Sequence, residues 1–516
     1  MERVVTRDAD RVKAELHECL DNGFNLLMEA GGGGADPRWL EQSAWVLMLD
    51  LGRRMLGEAF AQACARATSL DWRSRGFEVD DGRAKLRLDD DYHITLATTV
   101  GPVRFPLYAY RDLTEPVSET RVPAREDLFA LTRHTRSSEA CLEFEALFGS
   151  DVPFRQAEET LAFVTHGAVE LADNTINSHM VAISRAVERR WLYRSPGSIR
   201  DILRTRATRD ASTGRPVLYL SSDAHNVRRY LDETWAADWK NANGIRLWCV
   251  DRDTGKIIHI GGEFTWGDCR DVGAIFADLI RLGIIPGEAD YGDGVVAQYV
   301  WLSDGMPWFD DHVLPLLEPA STIRILDVYH VLERLRTYVR KVCGKAKTKA
   351  GKLAKKVTNL VLGKFRRRSS SSSTRGGPRT KRRRQRKTTG RFDTPPENLS
   401  YPAHVLNELE RLHIETTGKC EDNDDKVDEL LDYLRKYVDR IDYRDYAKRG
   451  LQIGSGAMES LHRSASQVRT KVPGARWLAK TSQAVFDLRM LRIVGNWTAF
   501  WNQPNLRCKL VDAFSS

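Results

Sequence analysis

Between residues 216 and 342 the apolar periodicity switches repeatedly between two and 3.6, and this alternation limits the fold more than any other feature of the chain. "PVLYLSSD" (216–223) reads as a strand that ends in a carboxylate. "IRLWCV" (245–250) and "KIIHIGGEF" (256–264) form a hairpin about the turn at residues 251–255. A helix follows near 269–282, then the strand "QYVWLSD" (298–304), a short helix near 310–317, the strand "TIRILD" (322–327) and the helix "VYHVLERLRTYVRKV". The order is β-β-β-α-β-α-β-α, an antiparallel opening followed by parallel crossovers.

That order specifies an α/β fold with a ribonuclease H-like mixed sheet, in which the first strand is central and the fourth lies beside it. Asp223 and Asp304 end those two strands, so their carboxylates become neighbours at the ~4.8 Å spacing of adjacent strands. Asp327 ends the fifth strand, roughly 9 to 10 Å from the first. Two metal ions that serve phosphoryl transfer sit about 3.5 to 4 Å apart, which favours Asp223 with Asp304 as ligands. Asp327 is then an alternative ligand or a supporting group, working with His330 one turn on. Alternatives exist for each acid: Asp223 could cap the next helix, and Asp304 could be a turn residue before Gly305.

Hard divalent ions take oxygen ligands, and Mg²⁺ needs few carboxylates, so two aspartates and one glutamate from a later helix suffice. The stretch 451–477, "LQIGSGAMESLHRSASQVRTKVPGARW", supplies that helix. If Ser455 is its N-cap, the capping-box position belongs to Met458, so Glu459 misses the box. Met458, Leu461, Ala465 and Val468 would face a core, with Glu459, Arg463 and Ser466 on a neighbouring face. Glu459 would hold metal while its basic neighbours hold the DNA backbone.

Outside this core, residues 1–70 read as a helical N-terminal region broken by "GGGGAD", which lacks the Gly-Lys-Ser/Thr of a phosphate loop and reads as a linker. Residues 71–135 read as a small β-rich module with Asp-Gly and Val-Gly-Pro turns. Residues 136–210 are helical, with a break at His166-Gly167; the helix at 175–184 would be either the second helix of a helix-turn-helix or half of an ordinary hairpin. Residues 211–340 hold the catalytic core. Residues 341–445 are a basic insertion containing helices and a disordered segment at about 364–397, and residues 446–516 carry the last catalytic helix and a helical tail.

Charge sharpens this division. The stretch Arg340 to Arg391 carries 21 Lys and Arg and no acid, leaving the rest of the chain at about −13 against an overall +8. Such a segment suits polyanions or a disordered tail, and its interior position favours an inserted arm. The eight cysteines include no Cys-x-x-Cys pair, so neither a zinc site nor a disulfide framework is expected. No apolar run reaches the ~18 residues of a membrane span, and the charged opening does not suit a signal peptide, which suggests a cytoplasmic, nucleoid-associated protein.

"LSSDAH", "WLSDGMPWF", "ILDVYHVLERL" and the Gly-Ser-Gly turn, glutamate and basic helix ending in Gly-x-Arg-Trp together resemble the DDE-class transposases of bacterial insertion sequences. The resemblance covers about 216–495 and, more loosely, the N-terminal region. It implies Asp223, Asp304 and Glu459 as catalytic and metal-binding residues. Mg²⁺ or Mn²⁺, two ions, would be the cofactor. It further implies cleavage of element ends and joining to target DNA. Partners would be double-stranded DNA, as terminal inverted repeats and target, and further copies of the chain in a dimer or larger assembly. Arg463, Arg469, Lys471, Arg476, Trp477 and the run Lys381, Arg382, Arg383, Arg384 would contact DNA. A metal-dependent nuclease of the same fold and a transposase-derived DNA-binding protein are the competing expectations.

Overall fold

The computed structural model describes residues 9–74, 86–89, 93–112, 120–129, 136–230, 236–287, 296–305, 308–317, 322–343, 347–363, 399–417 and 424–515. The disordered segment expected at about 364–397, with Lys381, Arg382, Arg383 and Arg384, lies outside them. The chain is mixed α/β and divides into two compact units, one of residues 1–192, 228–239 and 465–516, the other of residues 193–227 and 240–464. Among the described residues no helix is long and apolar enough to cross a membrane.

In the first unit, the 24-residue helix Ala9–Gly32 packs on Pro37–Ser74. The glycine run expected to be a linker within this helical region ends the first of these helices and leads into the second. The β-rich module contains β1 (Leu86–Asp89) paired with β4 (Ala109–Asp112), and the hairpin β2 (His93–Thr98) with β3 (Gly101–Pro106). Leu96, Val103 and Phe105 alternate inward and pack on the helix Pro37–Ser74.

Helices Glu139–Asp151, Phe154–Val164 and Asp173–Arg185 form a bundle with Ala479–Val494 and Leu506–Ser515 around one apolar core. Ser138 caps the first, its hydroxyl accepting from the Cys141 N–H at 3.2 Å. Linear reading placed 136–210 and 446–516 in separate domains; the bundle is built from both. The helix Asp173–Arg185 packs Ile176, His179, Met180, Ala182 and Ile183 into the bundle and leaves Asn174, Ser178 and Arg185 exposed.

The second unit is organised by a five-stranded mixed sheet: β5 (Val217–Tyr230), β6 (Ala237–Val250), β7 (Ile257–Thr265), β8 (Gln298–Ser303) and β9 (Thr322–Leu326), in the order β7-β6-β5-β8-β9. β6 and β7 are antiparallel, and β8 runs parallel to both β5 and β9. The first of these five strands is central and the fourth lies beside it, the arrangement expected of a ribonuclease H-like sheet.

Two-residue alternation sorts the sheet's faces. Val217, Tyr219, Val300 and Leu302 join the core made with the helix Val328–Cys343, whereas Trp301 meets Phe276 of the helix Cys269–Arg281 on the other side. Asp268 starts that helix with a capping box, accepting from the Arg270 and Asp271 N–H groups while Asp271 accepts from its own. The flanks of the basic insertion are part of the core: Leu360, Val405, Leu409, Leu434 and Tyr437 pack in the same cluster as the sheet.

Candidate active site

The sheet registers bring three aspartates level. Leu220 pairs with Trp301, and Ser303 with Leu326. Carrying those registers forward sets Asp223, midway along β5, in one row with Asp304 and Asp327, which follow the last residues of β8 and β9, the edge where open α/β sheets bind ligands. β5 does not stop at Asp223, as the sequence suggested, but runs on to Tyr230.

The three carboxylates differ in their surroundings. Asp327 is fully buried. Its carboxylate accepts from the Tyr329 N–H at 2.9 Å and from the Ser455 hydroxyl, and His330 Nε2 lies at 3.7 Å. Asp223 accepts the Ala224 N–H at 2.8 Å. Burial raises its carboxyl above the ordinary carboxylate range, and the neighbouring Asp304 and Asp327 charges add to that, opposed by the Ala224 hydrogen bond and His330. Asp304 is half-buried, and its carbonyl accepts from the Tyr433 hydroxyl at 2.7 Å.

The Gly-Ser-Gly turn is strapped to the sheet edge. The Val328 N–H donates to the Ile453 carbonyl at 3.0 Å. A Cβ on Gly454 would stand 2.5 Å from the Tyr329 ring, so any other residue there would have to displace that ring. Ser455 begins the helix Gly456–Leu461 without a side-chain cap, because its hydroxyl is committed to Asp327. Arg246 of β6, buried and held near a pKa of about 10 by that burial, donates to the Ala457 carbonyl. Met458 and Leu461 are buried beneath the helix.

Glu459 points outward, 48% exposed, and pairs with Arg463 at 3.5 Å. One turn on, His462 is buried, and its Nε2 lies 3.6 Å from an Asp223 carboxylate oxygen. The helix carrying Glu459 therefore meets β5 at the first aspartate. Sequence reasoning gave His462 no role beyond its place among the helix's basic residues; its position three residues after Glu459, on a neighbouring helical face, was the available signal.

Beyond Leu461 the helix departs from the expected phase. Residues His462–Gln467 form a π-helix, whose wider turn holds one extra residue and passes the buried stripe one position along. Val468 is consequently 46% exposed, and Arg469, expected on DNA, is 2% exposed. Its guanidinium lies 5.3 Å from the Phe154 ring and 5.2 Å from the Trp477 ring, and burial lowers its pKa to about 10. Trp477, also expected on DNA, is buried in the bundle core. Arg463, Lys471 and Arg476 are exposed.

The oxygen donors of Asp223 and Asp304 suit a hard divalent cation in kind, and a carboxyl pushed upward by burial and a neighbouring acid is one that a cation would relieve. Among the described residues, however, no group of three His, Cys, Asp or Glu side chains lies close enough to share a metal ion. Glu459, in its pair with Arg463, does not complete such a set.

No family model matches the chain, and no curated protein matches it. Among solved structures the chain is similar to one described as "Drosophila P element transposase strand transfer complex", at 13% identity over 70% of this chain and 92% of that one, with a TM-score of 0.28. A likeness of that depth establishes neither fold nor function.

Proposed function

We propose that the protein is a DNA transposase of the DDE class with a ribonuclease H-like catalytic domain, acting on the ends of an insertion sequence. The observation that carries this reading is the row of aspartates formed by Asp223, midway along β5, and Asp304, just past the end of β8, met by the helix of Glu459 through His462. Asp223, Asp304 and Glu459 would hold Mg²⁺ or Mn²⁺, which supplies Lewis-acid activation of an attacking oxygen in phosphoryl transfer. Asp327 and Ser455 hold the Gly-Ser-Gly turn against the sheet, and Arg246 holds the main chain at Ala457, so the helix bearing Glu459 is fixed at its start. Exposed Arg463, Lys471 and Arg476 would neutralise DNA phosphates, with terminal repeats and target DNA as partners and a dimer or larger assembly joining two ends.

A second reading, a transposase-derived DNA-binding protein without catalysis, is favoured by the Glu459–Arg463 pair. Purified protein, Mg²⁺ or Mn²⁺ and a plasmid carrying the gene's own flanking DNA separate the two. Products joined to new sites, lost in Asp304→Ala, support the transposase. Cleavage without joining assigns a nuclease, and DNA binding with neither assigns the binding protein.

A further inference from the structure

The outer half of the β5–β6 hairpin is not needed to build the sheet, and its side chains are unlike those of a sheet edge. The pairing of β5 with β8 ends at Leu220, yet β5 continues ten residues further, to Tyr230. Arg229 reaches Asp238 across the hairpin at 3.3 Å, so these two side chains share one face. Alternation then puts Arg228, Tyr230 and Trp239 together on the opposite face. The Tyr230 N–H donates to the Trp477 carbonyl at 2.7 Å, which fixes Arg476 beside the hairpin. The Arg228 and Arg476 guanidinium carbons stand 5.7 Å and 5.8 Å from the Tyr230 ring centre. Both arginines are exposed, and Trp239 is 65% exposed.

Two guanidiniums gathered about one ring repel each other unless an anion lies near, and neither has a carboxylate partner among the described residues. An open indole beside them offers a stacking plane. Cations that follow a phosphate backbone, combined with aromatic faces on which bases stack, are the means by which proteins hold single-stranded nucleic acid. In an intact duplex every base is already stacked on its neighbours, so Trp239 can engage only a base that has lost its partner.

We infer that this face of the hairpin binds an unpaired DNA segment, with Arg228 and Arg476 on its phosphates and Trp239 stacked on a base. The inference rests on the reading of DNA as the partner and adds to it a preference for frayed or single-stranded ends. Trp239 is largely in solvent, so replacing it opens no core.

Fluorescence anisotropy of the full chain with labelled oligonucleotides, one a blunt duplex and one with a single-stranded overhang, tests this. Trp239→Ala weakens binding to the overhang about 5- to 100-fold, the worth of one stacked base, and leaves the blunt duplex within about twofold. Trp239→Phe retains most of the overhang affinity. Arg228→Gln combined with Arg476→Gln lowers the salt dependence of overhang binding by about 1.5 in log–log slope. Equal overhang binding by Trp239→Ala and wild type overturns the inference while leaving DNA as the partner. Unchanged DNA binding with altered self-association in Trp239→Ala also overturns it, assigning the face to protein contact. Wild-type protein that binds neither oligonucleotide takes the proposed function down with it.

Discussion

Asp223 and Asp327 stand in one row at the edge of one sheet, under opposite conditions. Asp327, at the outer strand, has a hydroxyl and an N–H aimed at it, so its charge is satisfied although it is completely buried. Asp223, at the centre, has the N–H of the next residue and two other carboxylates near, and its carboxyl is driven upward. A satisfied carboxylate holds structure together, whereas one left costly by burial and like charge is poised for a cation or a proton. The same residue type in the same row is thus divided between a satisfied carboxylate and an unrelieved one by the donors around it.

The largest expected effect breaks this comparison directly. On the proposed function, Asp223→Ala and Asp304→Ala should each reduce strand joining by about 10³-fold with no loss of thermal stability. Asp327→Ala should do the reverse in the main, costing about 2–4 kcal/mol in urea unfolding because the Ser455 hydroxyl and Tyr329 N–H lose their acceptor. A denaturation midpoint that falls as far in Asp304→Ala as in Asp327→Ala would erase the distinction.

A third aspartate extends the comparison to pH. Asp210 is fully buried, and burial works against its charge, but the Arg449 fork and the Ser212 donors overcome this and hold it at about 2. A carboxyl lower in the folded chain than in the unfolded one contributes stability that is complete above about pH 4 and fades as pH falls through about 2. Arg449→Ala should therefore cost about 3 kcal/mol at pH 7, by leaving Asp210 buried without its partner. The difference from wild type should shrink in acid, as protonation of Asp210 removes the charge in both proteins. A gap that stays constant from pH 7 to pH 2 would count against the ion pair as its source.

Much of the core could be read from sequence because its information is local. Strands with two-residue alternation led to Asp223, Asp304 and Asp327, and the ribonuclease H-like topology that shares their order set which strands are expected as neighbours. Three features were hidden for physical reasons. The outer half of β5 and β6 is polar and lacks the apolar alternation by which a strand is recognised. The bundle that joins residues 139–185 to 479–515 depends on packing between segments far apart in the chain, which no local pattern encodes. The π-helix at His462–Gln467 adds one residue to a turn without any composition that marks it, and that residue decides whether Val468 or Arg469 is buried.

The smallest expected effect follows from that shift. Arg469 and Arg476 lie seven residues apart in a stretch that reads as uniformly basic, yet one is inside the bundle and the other in solvent. Among the described residues Arg469 Nε has no hydrogen-bond partner, and Arg489 adds a like charge that Asp151 only partly offsets. Replacing a poorly satisfied buried cation by an apolar side chain of similar length is close to neutral, because the lost aromatic contacts are matched by relief from desolvation. Arg469→Met should accordingly change unfolding free energy by less than about 1 kcal/mol and leave DNA affinity unchanged. Arg476→Met should leave stability equally untouched but weaken DNA binding at low salt, with the difference closing as salt rises. If Arg469→Met instead lowered DNA affinity with a salt dependence like that of Arg476→Met, the helix would have to unwind its π turn on DNA and expose Arg469. The buried arrangement would then be the resting state of a segment that changes phase when it binds.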